Sequence, residues 1–186
     1  MSEEERYATH LPVLRRVGRL VNPRRVLEFG CGQWSTATFL DRDVYPDLHH
    51  LKSYEQEQGW ADFVETFVAE DDLRLVMEIV PHREMLDAIR DMSLSEYGLI
   101  FVDNGSSLAE RVAVIEALAA RKPKALVVIH DYEQPAYREA ASGFDHEAVY
   151  SKLTPHTGIV WNDREFDLEA VDDAILGREV LARETV

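Results

Sequence analysis

The sequence predicts an α/β fold: a three-layer α/β/α sandwich around a seven-stranded, mostly parallel sheet that ends in an antiparallel hairpin. Three observations predict it. From residue 25 to residue 121, short β-branched runs alternate with longer runs of helical period, the pattern of repeated strand–helix units. Two of the strand runs, 97–102 and 125–129, are apolar almost throughout, as central parallel strands buried on both faces are. After the second of these, two further strand-like runs, 147–153 and 158–162, are joined only by Thr154, Pro155, His156 and Thr157, a connection of hairpin length.

The elements follow in order. Residues 3–21 open with three glutamates, which suit a first helical turn, and then place Leu11, Leu14, Val17 and Val21 on one face. Residues 25–30 form a first strand that ends in a glycine turn, and a helix follows from Ser35 to Leu40. The second strand is 51–55, and Trp60, Phe63, Val64 and Phe67 mark the helix after it. A third strand at 73–80 precedes a shorter stripe of Leu86, Ile89 and Met92. Beyond the fourth strand, Ser107 and Glu110 make a capping-box pattern for a helix whose stripe is Leu108, Val112, Ile115 and Leu118. After the fifth strand and the hairpin, Phe166, Val171, Ile175, Leu176 and Val180 predict a closing helix. With no repeat or linker, residues 1–186 read as one domain: an N-terminal helix (1–24), a core of sheet and helices (25–162) and a C-terminal helix (163–186).

Composition bounds the function. The chain has 186 residues, 46% of them hydrophobic, which is enough for a real core. It carries 20 basic against 35 acidic side chains, a net charge of −15. A surface this negative repels a phosphate backbone, and no long basic run offsets it, so neither nucleic acid nor an anionic membrane is an expected partner. The single cysteine, Cys31, excludes an internal disulfide and a multi-cysteine zinc site. The acidic start offers no signal peptide, and no apolar run approaches the ~20 residues of a membrane span, so the expected location is cytoplasmic.

The most informative stretch is the turn after strand one, Glu28-Phe29-Gly30-Cys31-Gly32-Gln33-Trp34-Ser35-Thr36. A strand that turns sharply into a helix while its backbone approaches a ligand needs glycine, and Ser35 or Thr36 can cap the helix start. Glu55 ends the second strand 25 positions after Gly30; an ionised carboxylate can accept from both hydroxyls of a ribose. The same spacing occurs in NAD-binding folds. Strands four and five each end in an acid, Asp103 followed by Asn104, and His130 followed by Asp131. Were those strands neighbours, both carboxylates would face one small space at the carboxyl edge, where open α/β sheets bind ligands. Asp103, Asp131 and Asn104 could then hold a hard divalent cation such as Mg²⁺; without metal, His130 is the candidate general base.

This element order and these motifs resemble the class I S-adenosylmethionine-dependent methyltransferases, over about residues 20 to 165. The resemblance implies a Rossmann-like sandwich with S-adenosyl-L-methionine as cofactor. Glu28, Gly30, Cys31, Gly32, Ser35 and Thr36 would lie around its methionine part, Glu55 at the ribose, His82 in the turn that family members place near adenine, and Asp103 beside the reacting end. Asp103, His130 and Asp131 are the implied catalytic residues. The sequence departs from the fuller family pattern at Trp34, which stands near the place of a third glycine.

The acceptor expected is a small molecule, methylated at a hydroxyl oxygen: the charge disfavours nucleic acid, and the loop typical of amino-methylating enzymes is absent after strand four. Tyr7, His10, Tyr132, Tyr137 and Arg138 are the available pocket walls. So few lid elements suggest that a second subunit walls the pocket, in a homodimer. The competing readings are a ligand-binding protein of the same fold without turnover, and an NAD-linked oxidoreductase. An aminopropyltransferase shares the fold but carries an N-terminal β region not seen in this sequence.

Overall fold

A computed structural model describes residues 8–69, 72–105 and 107–162. Seven strands form one sheet: β1 (Arg25–Phe29), β2 (His50–Glu55), β3 (Leu75–Ile79), β4 (Leu99–Val102), β5 (Leu126–His130), β6 (His146–Tyr150) and β7 (Thr157–Trp161). Their order is β3-β2-β1-β4-β5-β7-β6, with the first five parallel and β7 antiparallel to both of its neighbours. The helices are α1 (Leu11–Val21), α2 (Ser35–Leu40), α3 (Gln58–Glu65), α4 (His82–Asp91), α5 (Leu108–Arg121) and α6 (Pro135–Ala140). The expected fold class is the one observed.

Both faces of the sheet are covered, which is why the central strands are apolar throughout. Ile100 and Val102 of β4 and Val127 and Ile129 of β5 pack with α4, α5 and α6. Their alternates Leu99, Phe101, Leu126 and Val128 pack on the other face with Val13, Leu14 and Val17 of α1 and Phe39 of α2, the period of two expected of strands. Because chain order reverses between β1 and β4, a crevice opens at the carboxyl ends of those two strands.

Several expected elements differ in detail. Leu73 is 93% exposed and β3 starts only at Leu75. On α3, Ala61 and Val64 are the buried residues, whereas Trp60, Phe63 and Phe67 face outward. Ala61 and Val64 pack with Cys31 against Met77 and Ile79 of β3. Of the stripe read on α5, Ile115 and Leu118 are buried and Val112 packs against the core, whereas Leu108 is exposed; the buried face also takes in Arg111, Val114 and Ala119. The hairpin strand expected at 147–153 spans His146–Tyr150, and a short helix, α6, lies between it and β5. The closing helix, the opening glutamates and Tyr7 lie outside the described residues. No helix among the described residues is long and apolar enough to cross a membrane.

Candidate active site

The turn after β1 is built around Gly30, whose φ of +86° is a left-handed conformation that favours glycine. A Cβ there would stand 2.5 Å from the Asp103 carbonyl oxygen, so the β1 turn lies directly against the β4 turn. Beneath it, Glu28 is fully buried and accepts hydrogen bonds from the hydroxyls of Ser35 (2.7 Å), Thr36 (2.8 Å) and Ser53 (2.8 Å). Burial pushes its carboxyl up to about 7 against the pull of those three hydroxyls. Glu28, Ser35 and Thr36 thus tie strand, turn and helix together, and Thr36 also accepts from the Gly32 amide at 3.1 Å.

Glu55 reaches the same turn from β2. One oxygen accepts from the Cys31 amide (3.2 Å) and thiol (3.4 Å), the other from the amides of Gln56 (2.6 Å) and Glu57 (3.1 Å). Burial, together with Glu28 and Glu55, pushes the Cys31 thiol far up, so it is no nucleophile. The Trp60 indole donates to the Cys31 carbonyl at 2.7 Å, laying one exposed ring of α3 over the turn. A Cβ at Gly32 would meet only Ser35, its Oγ at 3.0 Å and its amide nitrogen at 3.9 Å. His82 begins α4 at the end of β3, half-buried, with Nδ1 unpartnered.

β4 and β5 are hydrogen-bonded neighbours, and their ends do converge. His130 Nδ1 lies 3.1 Å from Asp103 Oδ2, and His130 Nε2 lies 2.9 Å from the Thr9 hydroxyl. Burial pushes the Asp103 carboxyl up, but His130 and Arg111 together outweigh it and hold it down at about 2. Burial likewise lowers His130, and Asp103 reverses this, leaving the ring above its ordinary value. His10 packs edge-on against His130, with ring centroids 4.7 Å apart and both nitrogens unpartnered. Burial first, and then His130, drive it down to about 3, so it is neutral.

The residue that sequence reasoning missed is Arg111. Its guanidinium, 8% exposed, pairs with Asp103 Oδ1 at 2.8 Å and with Asp131 Oδ2 at 2.6 Å, and its Nε donates to the Asn104 carbonyl at 2.9 Å. Asp131 reaches it from a left-handed backbone, φ +56°, uncommon for a residue with a side chain. The signal was present in the sequence: positions 111, 114, 115 and 118 share the helical spacing i, i+3, i+4, i+7, and the first of them is an arginine.

These contacts bear on the expected metal. The Asp103, Asp131 and Asn104 set has the oxygen chemistry of a Mg²⁺ site, but Arg111 already stands between the two carboxylates and supplies their cation. As arranged, that set does not fit a divalent ion. A second donor group, His10, Asp103 and His130, has ligand atoms within 4.8 Å of one another; its two nitrogens suit a transition metal better than Mg²⁺.

No family model and no curated protein matches the chain. Solved structures do. A spermidine synthase from Thermotoga maritima superposes with a TM-score of 0.65 at 16% identity, over 91% of this chain and 66% of that one. The O-methyltransferase TomG from Streptomyces achromogenes, solved in complex with SAM, gives 0.60 at 17% identity, over 88% and 82%. A Staphylococcus aureus protein provisionally assigned as a caffeoyl-CoA O-methyltransferase gives 0.58 at 13%, over 81% of each chain. With its strand order, its glycine turn and these neighbours, the chain has the fold of the class I S-adenosylmethionine-dependent methyltransferases.

Proposed function

We propose that this chain is an S-adenosylmethionine-dependent methyltransferase that acts on a hydroxyl oxygen of a small molecule. The observation that carries this reading is the contact of Gly30 with Asp103, which sets a nucleotide-type glycine turn beside a part-buried His130–Asp103 pair. A cofactor needs accessible turn backbone and a carboxylate for the ribose; half-buried Gly32 and Glu55 at the end of β2 are the residues that support the reading. The longest bond to Glu55, the Cys31 thiol at 3.4 Å, is the one a ribose hydroxyl would displace.

S-adenosylmethionine supplies an electrophilic methyl group when bound. The chain's own residues orient the acceptor and take its proton. With His130 Nδ1–H donating to Asp103, Nε2 is the basic nitrogen, and it already meets a hydroxyl, that of Thr9. The acceptor hydroxyl takes over this position and gives its proton to Nε2. Asp103 then holds the imidazolium, as the acid of a catalytic triad does. Arg111 keeps Asp103 and Asp131 in place, and neutral His10, with two unpartnered nitrogens, offers a further hydrogen bond to the acceptor. The net charge of −15 and the absence of a basic run support a small acceptor over nucleic acid.

Calorimetric titration with S-adenosylhomocysteine and, separately, with NAD tests the reading. Binding of the first and not the second is expected; the reverse would return the chain to the oxidoreductases. The likeness to spermidine synthase favours a second reading, aminopropyl transfer. That reading predicts that 5′-methylthioadenosine binds more tightly than S-adenosylhomocysteine. Labelled methyl transfer to a panel of hydroxylated compounds separates a turning-over enzyme from a binding protein.

A further inference from the structure

Arg111 is bound on every side. Nε donates to the Asn104 carbonyl (2.9 Å), Nη1 to Asp131 (2.6 Å) and the His130 carbonyl (3.4 Å), and Nη2 to Asp103 (2.8 Å), while the guanidinium lies 5.3 Å from the Tyr137 ring centroid. The planar fork of an arginine is suited to spanning two carboxylates, which a lysine meets only as a point charge. Asn104 adds a third group: its side chain is buried, and neither its amide oxygen nor its amide nitrogen has a partner. Carboxylate and amide oxygens are the donor types that a hard divalent cation takes, and the cation that joins Asp103 to Asp131 here is the guanidinium.

We propose that Arg111 is the resident cation of this site, a positioning residue that fixes Asp103 and Asp131 and keeps divalent ions from entering between them. It acts on the reaction through Asp103, not by contact with the reactants. The exclusion follows from charge: a dication approaching either carboxylate meets a buried guanidinium within a few ångströms, where Coulomb repulsion is screened far less than in water. The inference goes beyond methyl transfer, and its test needs neither cofactor nor acceptor.

The test is Mn²⁺ titration of the full chain, followed by electron paramagnetic resonance, in wild type, Arg111→Lys and Arg111→Met. Asp131→Asn versions of each identify the ion held at this site against those on the acidic surface. Wild type and Arg111→Lys are expected to show no Mn²⁺ that depends on Asp131. Arg111→Met is expected to gain one such ion, its affinity higher by about tenfold or more once the nearby like charge is gone. A merely structural arginine would leave Arg111→Met less stable but no better at binding Mn²⁺, and that result overturns the proposal. So does Asp131-dependent Mn²⁺ in wild type. Should Arg111→Met fail to fold, the wild-type melting temperature decides: no shift with chelator or with Mg²⁺ is expected, and a shift abolished by Asp131→Asn refutes the assignment.

Discussion

Glu28 on β1 and Asp103 at the end of β4 are carboxylates on adjacent strands, and their surroundings push them in opposite directions. Glu28 meets only hydroxyls, from Ser35, Thr36 and Ser53, and burial raises it to about 7. Asp103 meets an imidazole and a guanidinium, and they hold it near 2 despite burial. Neutral donors satisfy a buried acid without stabilising its charge enough to offset desolvation, whereas cationic partners do so. The first acid fastens a turn. The second is a permanent anion beside a histidine, as proton transfer requires.

The largest expected effect breaks the Asp103 side. Asp103→Asn preserves the shape but removes the charge that holds an imidazolium, and turnover should fall by about 10²–10⁴-fold in a labelled methyl-transfer assay. Wild-type turnover should rise with pH through the elevated His130 value, because the base works only once it has lost its proton. In Asp103→Asn that inflection should move to lower pH, since the anion that raised it is gone. An unmoved inflection would mean that a different group is the base.

On the Glu28 side, truncation should cost stability. Glu28→Ala strands three buried hydroxyls and opens a cavity, an expected loss of about 2–4 kcal/mol by chemical denaturation. Glu28→Gln sharpens the comparison through pH. The folded protein holds the Glu28 proton more tightly than the unfolded chain does, so this group's contribution is fully present below its ordinary 4.5 and is lost as pH rises to about 7. The loss is roughly 3 kcal/mol across that window, and Glu28→Gln should abolish it. Asp103 has the opposite sign. Its stabilisation is present above its ordinary 3.8 and is lost as pH falls through about 2, so Asp103→Asn should flatten only the acid limb. If both variants flattened the same limb, the contrast between the two acids would be wrong.

The smallest effect expected is at the rim. Trp60→Phe keeps the ring but removes the donor to the Cys31 carbonyl, at a cost of about 1 kcal/mol in stability.

How much of this was legible in the sequence follows from what each residue's position depends on. That strands four and five are central was readable, because each is apolar throughout; that they are neighbours, which brings Asp103 to His130 and Asp131, followed from the family resemblance and not from the strands themselves. The glycine turn was readable because backbone conformation is a local property. Arg111 was missed although its spacing to Val114, Ile115 and Leu118 was there, since an arginine is expected on an exposed helix face and packing of α5 against the sheet turns it inward. The outward aromatics at and after α3 were missed for a related reason: the spacing of Trp60, Phe63 and Phe67 marks one face but does not say that it is the face turned from the sheet. The Thr9 and His10 contacts join residues more than 90 positions apart, and no local pattern encodes them.

The most direct measurement of the central claim is calorimetric titration of S-adenosylhomocysteine into wild type, Glu55→Ala and Asp103→Asn under one set of conditions. The ligand should bind wild type, and Glu55→Ala should weaken it by about tenfold or more, as loss of hydrogen bonds to a charged group does. Asp103→Asn should bind nearly as wild type does, because its charge serves the proton and not the cofactor. No binding to wild type, or a loss in Asp103→Asn that Glu55→Ala does not share, would contradict the account.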